Sequence, residues 1–242
     1  MSKLKLLVSA ADTANNSERW YEFVVFLSRS LDQAIGLDTA LDKEDFRQRM
    51  HRADLIFAAP QDAVRLCQQA GYLPLCRPVD QAEEVVFVTH RDNSNPSLKG
   101  FHNAPVITST ETVPTRLGLT LLARKAIKPA SLEGKPGWMA VVKALQLNTE
   151  SYGFLSKNFY DELKPLSREG MRVLATSKLN KVYNQFMLKP EHQALSDALT
   201  MTLLSMQESD KGRQVLEKLG ITGWTESSGK EFEQLEQLLR MD

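Results

Sequence analysis

Two cysteines in 242 residues are too few for a disulfide framework. Cys67 and Cys76 are separated by eight residues, which fits no metal-ligand spacing. The four histidines, His51, His90, His102 and His192, are scattered along the chain. The cysteines therefore read as two half-buried thiols, able to bridge only in an oxidising compartment. Neither a metal nor a cofactor is expected. Net charge is missing too: thirty basic and thirty acidic side chains cancel, and no run of like charge stands apart. That argues against nucleic acid or an anionic membrane surface as the partner. No apolar stretch approaches the roughly eighteen residues of a membrane span, so no membrane insertion is expected. Internal repeats and low-complexity segments are absent as well.

The start of the chain lacks the pattern of a secretory leader. Met1–Val8 carries two lysines, but only Leu4, Leu6, Leu7 and Val8 form an apolar run before Ser9 and Asp12 end it. The reading is a strand of a cytoplasmic protein, or of a periplasmic one whose leader has been removed. Catalytic patterns are lacking in the same way. No Ser/His/Asp or Cys/His spacing and no paired acids suggest a reaction.

What is present is an ordinary globular composition, 42% hydrophobic and 25% charged, enough for one large domain or two small ones. Short apolar runs alternate with helical patterns. Lys3–Ser9 reads as a strand with Leu4, Leu6 and Val8 on one face. Ser17 opens a helix expected to reach Ile35, with Gly36 as its stop. Asp42–Met50 is a short helix, Asp54–Pro60 a buried strand, and Asp62–Ala70 a helix stopped by Gly71. Tyr72–Cys76 and Val85–Thr89 add strands. After the polar stretch His90–Gly100 a second series follows: strand Val106–Thr108, helix Pro114–Lys128, loop Lys128–Gly137, helix Trp138–Leu147, strands Gly153–Ser156 and Arg172–Thr176. The polar segment Ser177–Asn184 leads to the helices Glu191–Met206, Asp210–Leu219 and Glu231–Leu239. Trp20 and Trp138 sit at helical spacing and read as core, and Trp224 as C-terminal packing. The alternation predicts an α/β protein with mainly parallel sheets flanked by helices.

The most informative stretch is Val106–Arg124. An apolar strand runs into Thr108, Ser109, Thr110 and Thr112, then Pro114 and the helical pattern Leu117, Leu121, Leu122. The first turn of a helix leaves backbone N–H groups unpaired and carries the positive end of the dipole. Hydroxyls beside those amides add donors, so the turn suits an anion without needing a lysine. The plainer alternative is that Thr112 only caps the helix, with Pro114 in its first turn.

Several segments in order resemble one family. Arg52-Ala53-Asp54-Leu55-Ile56-Phe57-Ala58-Ala59-Pro60 is similar to a first-lobe segment of the PhnD-like phosphonate/phosphate-binding proteins of ABC transporters. Ser109-Thr110 after a strand resembles their second-lobe Ser/Thr anion loop. Gly212–Trp224, with Leu216, Leu219, Gly220, Ile221 and Gly223 in place, resembles their C-terminal segment. Leu174-Ala175-Thr176-Ser177 is similar to the strand leading back through the hinge. The resemblance spans nearly the whole chain. It implies the two-lobe type 2 periplasmic binding protein fold, with ligand held in an interlobe cleft. Lobe 1 would be residues 1–91 with 183–242 and lobe 2 residues 92–182, with crossings near His90–Asn95 and Ser177–Asn184.

The expected ligand residues lie on loops after strands: Asp12, Thr13 and Gln61 in the first lobe, Ser109, Thr110, Thr112, Ser156 and Lys157 in the second, and Ser177 at the hinge. Two departures bear on the ligand. Glu111 stands within the hydroxyl loop, where the family carries small residues. A carboxylate about 5 Å from a bound anion, at an effective dielectric of about 20, repels it by about 3 kcal/mol per unit charge. It would suit a ligand bearing an amine, or simply point to solvent. Lys157 stands where a family acid is common and could supply a cation. The expected function is binding of a small anionic solute, a phosphonate- or phosphate-like oxyanion, for ABC uptake or ligand sensing. The partner would be an ABC permease or a sensor protein. The alternative is a cytoplasmic enzyme of small-molecule biosynthesis on the same fold.

Overall fold

Period-two alternation builds the first sheet. The computed structural model describes residues 3–9, 17–229 and 232–233. In strand β1 (Leu4–Val8), Leu4, Leu6 and Val8 enter one core while Leu7 enters another. Strand β3 (Leu55–Ala58) splits the same way, Leu55 and Phe57 against Ile56 and Ala58. A sheet that alternates between two apolar faces must be covered on both. Helices α1 (Ser17–Ser30), α8 (Ser196–Ser205) and α9 (Asp210–Leu219) cover one face, and α2 (Lys43–Arg49) and α3 (Pro60–Ala70) the other. The larger core is aromatic. Phe23 stacks on Trp224 at 5.8 Å, and Trp20, Phe57 and Phe186 pack around them. Such pairs contribute about 0.5–1.5 kcal/mol each beyond area burial. Trp20 and Trp224 are core residues, as the sequence suggests.

The remaining strands of this sheet are β2 (Ile35–Thr39), β4 (Leu73–Pro78), β10 (Gln185–Leu188) and β11 (Trp224–Glu226), and the order is β11-β4-β10-β3-β1-β2. β1 pairs β2 and β3 in parallel, while β10 runs antiparallel to both β3 and β4. Three of these strands depart from the sequence reading. α1 ends at Ser30, not near Ile35, and Asp32 adopts a left-handed φ of 48°. Ile35 then pairs with Leu4, placing Gly36 inside a strand. Pairing with a strand thirty residues away outweighs the local helical pattern. β10 and β11 likewise form on segments with no expected strand. Gly71 (φ 66°) and Gly220 (φ 75°) do end their helices in the left-handed region, as glycine permits. The expected helix Glu231–Leu239 lies almost wholly outside the described residues.

The second sheet comprises β5 (Val85–His90), β6 (Pro105–Thr108), β7 (Ser131–Gly134), β8 (Tyr152–Ser156) and β9 (Met171–Thr176), in the order β7-β6-β8-β5-β9. β6 is parallel to β7 and β8, while β5 is antiparallel to β8 and β9. Each sheet is therefore mixed: β10 and the edge strand β11 are reversed in the first, and β5 in the second. α5 (Trp138–Leu147) covers one face through Val141, Val142 and Leu145. The other face holds Phe87, Phe101, Tyr152 and Phe154, with α4 (Val113–Ala123) against β5 and β8. α4 stops at Ala123 rather than Lys128, and the expected loop 128–137 contains β7. Short helices α6 (Lys157–Glu162) and α7 (Pro165–Glu169) follow β8.

Two compact units result, Met1–Ala82 with Val182–Asp242, and Glu83–Lys181. The first crossing falls at Ala82–Glu83, ahead of β5, whereas the sequence reading places it at His90–Asn95. β5 belongs to the second sheet because both its neighbours, β8 and β9, lie there. Cys67 and Cys76 are both free.

Candidate functional site

One edge of the second sheet collects most of the expected residues. β6, β7 and β8 run in the same direction, and Thr108 pairs with Gly134 at their carboxyl ends. Ser156, the last residue of β8, pairs with Val85, and Val86 pairs with Thr176. The turn Ser109–Thr112, the turn after Gly134, Ser156–Lys157 and Ser177 are thus all at this edge. It is the edge where helix N-termini gather in α/β sheets.

The hydroxyl turn is held from below by threonines. Thr115 Oγ1, in the first turn of α4, donates to the Ser109 carbonyl at 2.8 Å and lies 2.6 Å from Thr108 Oγ1. Thr112 Oγ1 donates to the same carbonyl, also at 2.8 Å. Thr112 is the N-cap residue of α4, but its side chain makes no capping bond to the helix amides. The capping alternative therefore fails: the hydroxyl expected to fill the helix terminus points back into the turn. Among the described residues nothing accepts from the Thr110 and Val113 amides, and the Ser109 and Thr110 hydroxyls make no hydrogen bond. Ser109 is buried and Thr110 exposed. Glu111 is exposed with φ 58°, a left-handed position that lets the turn reverse.

Lys135 is a neighbour that sequence reasoning missed. Its amide donates to the Thr108 carbonyl at 2.8 Å, and a Cβ placed on Gly134 would come within 3.3 Å of Thr110 Oγ1. The Lys135 ammonium bonds Glu133 at 2.6 Å. The segment carrying it has no apolar alternation, since all four residues of β7 are exposed. Lys157 is paired with Asp161 one turn along α6, so it is not a bare cation. Ser156 is buried at the start of α6 and makes no capping bond.

Ser177 is committed to structure. Its hydroxyl donates to the Glu84 carboxylate and accepts from the Val85 amide at 2.9 Å. The second Glu84 oxygen accepts from the Asn180 amide at 2.7 Å. Glu84 is buried, and no sequence signal marked it.

In the first unit, Gln61 is the second residue of α3, which starts at Pro60 just beyond the carboxyl end of β3. Its Oε1 is buried without a hydrogen-bond partner among the described residues. Asp62 beside it is buried near Arg47 (3.8 Å) and Arg65 (3.7 Å). Burial pushes its carboxyl above the usual range, against the pull of both guanidinium groups. Asp12 and Thr13 lie outside the described residues. Among the described residues no group of three or more His, Cys, Asp and Glu side chains is placed to hold a metal ion.

Comparisons with known proteins bear on the family and the fold. A family model described as "ABC transporter, phosphonate, periplasmic substrate-binding protein" matches residues 6–232. The fold is similar to that of PhnD1 from Prochlorococcus marinus, solved with methylphosphonate, at a TM-score of 0.81 and 14% identity over 98% of this chain and 97% of that one. XAC2383 from Xanthomonas citri, bound to chloride, gives 0.79 and 16% over 98% and 96%. The aliphatic sulphonate binding protein SsuA from Escherichia coli gives 0.70 and 12% over 98% and 85%. At such identities these likenesses carry the fold alone. No curated protein matches the sequence.

Proposed function

The chain belongs to the phosphonate-type periplasmic substrate-binding proteins of ABC transporters, and from that premise we propose that the Ser109–Thr112 turn of the second unit is its oxyanion site. The family binds solutes for uptake rather than converting them, and its mature members work in the periplasm. No helix among the described residues is long and apolar enough to cross a membrane. The permease of an ABC transporter is the partner this reading implies.

The observation that carries the reading is the orientation of Thr112. A hydroxyl at this position normally satisfies the first-turn amides. Here it bonds the Ser109 carbonyl, leaving the helix terminus and two hydroxyls to a ligand. Amides and hydroxyls around a tetrahedral oxyanion form charge-assisted bonds of about 1.5–3 kcal/mol each. Ser156, at the same edge of the second sheet, adds a hydroxyl of the same chemistry, and Ser177 supports the edge from within.

The test is a double variant, Ser109→Ala with Thr110→Ala, challenged with methylphosphonate, inorganic phosphate and methanesulfonate in thermal-shift assays. A ligand at a hundred times its Kd stabilises the folded chain by about 2.7 kcal/mol. The double variant should keep the unliganded melting temperature and lose that increment. Full retention of the increment places the site elsewhere.

A further inference from the structure

Charge at this edge of the second sheet cancels. Lys135 is matched by Glu133, and Lys157 by Asp161. Glu111 sits in the turn, and Arg116 follows in α4. Glu84 is buried beneath the edge, and Lys178 directly follows Ser177. The two lysines flanking the hydroxyl turn are thus each answered by a carboxylate on their own segment. Beyond the six-residue α6, the remaining positive potential is that of the N-termini of the longer helices α4 and α5, roughly half a charge each. About one unit of negative charge is what such a site can compensate. Each further unit must be taken from water without a counter-charge, and that costs affinity.

Resting on the site reading above, we infer that the site selects singly charged oxyanions, sulfonates and the monoanionic form of phosphonates, over dianions. Glu133 is the residue that sets this preference. It holds the Lys135 ammonium, and it lies on the strand paired with β6, with Ile107 opposite Glu133 and Thr108 opposite Gly134. Thr110 fills the space a side chain on Gly134 would take. Lys135 is therefore tethered beside the hydroxyl turn with its charge already answered.

The experiment is calorimetric titration of the full chain with methanesulfonate, methylphosphonate and inorganic phosphate at acidic, neutral and alkaline pH. Methanesulfonate keeps one charge throughout, and its Kd should stay flat. The Kd of methylphosphonate should rise about tenfold per pH unit above its second ionisation, because only the monoanion binds well. In Glu133→Gln the ammonium is unmatched. Dianion affinity should then rise about tenfold and methanesulfonate affinity only about threefold, since the Coulomb term scales with ligand charge. Methylphosphonate affinity that is flat or grows with pH overturns the inference, as does an equal gain for both ligands in Glu133→Gln. In either case, loss of binding in the Ser109→Ala, Thr110→Ala variant keeps the site reading intact. Binding of none of the three ligands overturns both.

Discussion

Thr115 Oγ1 lies 2.6 Å from Thr108 Oγ1, and both side chains are buried. Each hydroxyl has one proton, so the directions are fixed. Thr115 gives its proton to the Ser109 carbonyl and must accept from Thr108. Thr115→Val keeps the shape and removes the relay, leaving the buried Thr108 hydroxyl only the Phe154 carbonyl, 3.5 Å away, as acceptor. Urea unfolding should show a loss of about 1–3 kcal/mol. Thr112→Val, at a half-buried position with a redundant donor, should cost about 0.5–1.5 kcal/mol. The reverse order would mean the relay does not hold the turn.

Glu84 joins the two ends of the second unit, since Val85 begins its first strand and Ser177 and Asn180 follow its last. Glu84→Ala orphans a buried hydroxyl and a backbone amide, and should cost about 3 kcal/mol in denaturant titration. Glu84→Gln retains one acceptor and should cost about 1 kcal/mol. Equal losses would show that the carboxylate fills space and that its hydrogen bonds contribute little.

Cys76 is buried in β4, and burial, reinforced by the Glu226 carboxylate, pushes its thiol up to about 12. At about pH 8 only roughly one thiol in ten thousand is then the reactive thiolate. Cys67, in α3, is only half-buried. The native chain should consume one equivalent of a thiol-reactive dye and the second only after unfolding. Equal native rates would mean that the sheet opens around β4.

The parts of this fold legible in the sequence are those written in local period. β1 alternates cleanly, α3 runs from Pro60 to Gly71, and α9 ends at Gly220. Ile35–Thr39 was not legible, because its strand identity comes from β1 and not from its own pattern. β7 shows no alternation because both its faces are exposed, and Lys135 was lost with it. The hydroxyl turn was visible as composition, but the direction of Thr112 depends on Thr115 and on the Ser109 carbonyl. Ser177 stands out in the sequence only as a hinge residue through the family resemblance, while the partner that fixes its role, Glu84, lies ninety-three positions away.

Asp62 gives the chain a stability term with a definite pH sign. Its carboxyl is raised in the folded state by burial, with Arg47 and Arg65 opposing. A carboxyl raised on folding binds its proton more tightly in the native chain than in the unfolded one. Its contribution is therefore fully present below the unfolded value and is lost as pH rises through the folded one. Asp62→Asn removes the titration and keeps a polar side chain near both arginines. The melting temperature of Asp62→Asn minus that of the parent chain should become steadily more positive as pH rises through the carboxylate range. It should then level off once Asp62 is ionised in both states. A difference that grows more negative with pH would show that the ion pairs with Arg47 and Arg65, at 3.8 and 3.7 Å, outweigh the desolvation of the carboxylate.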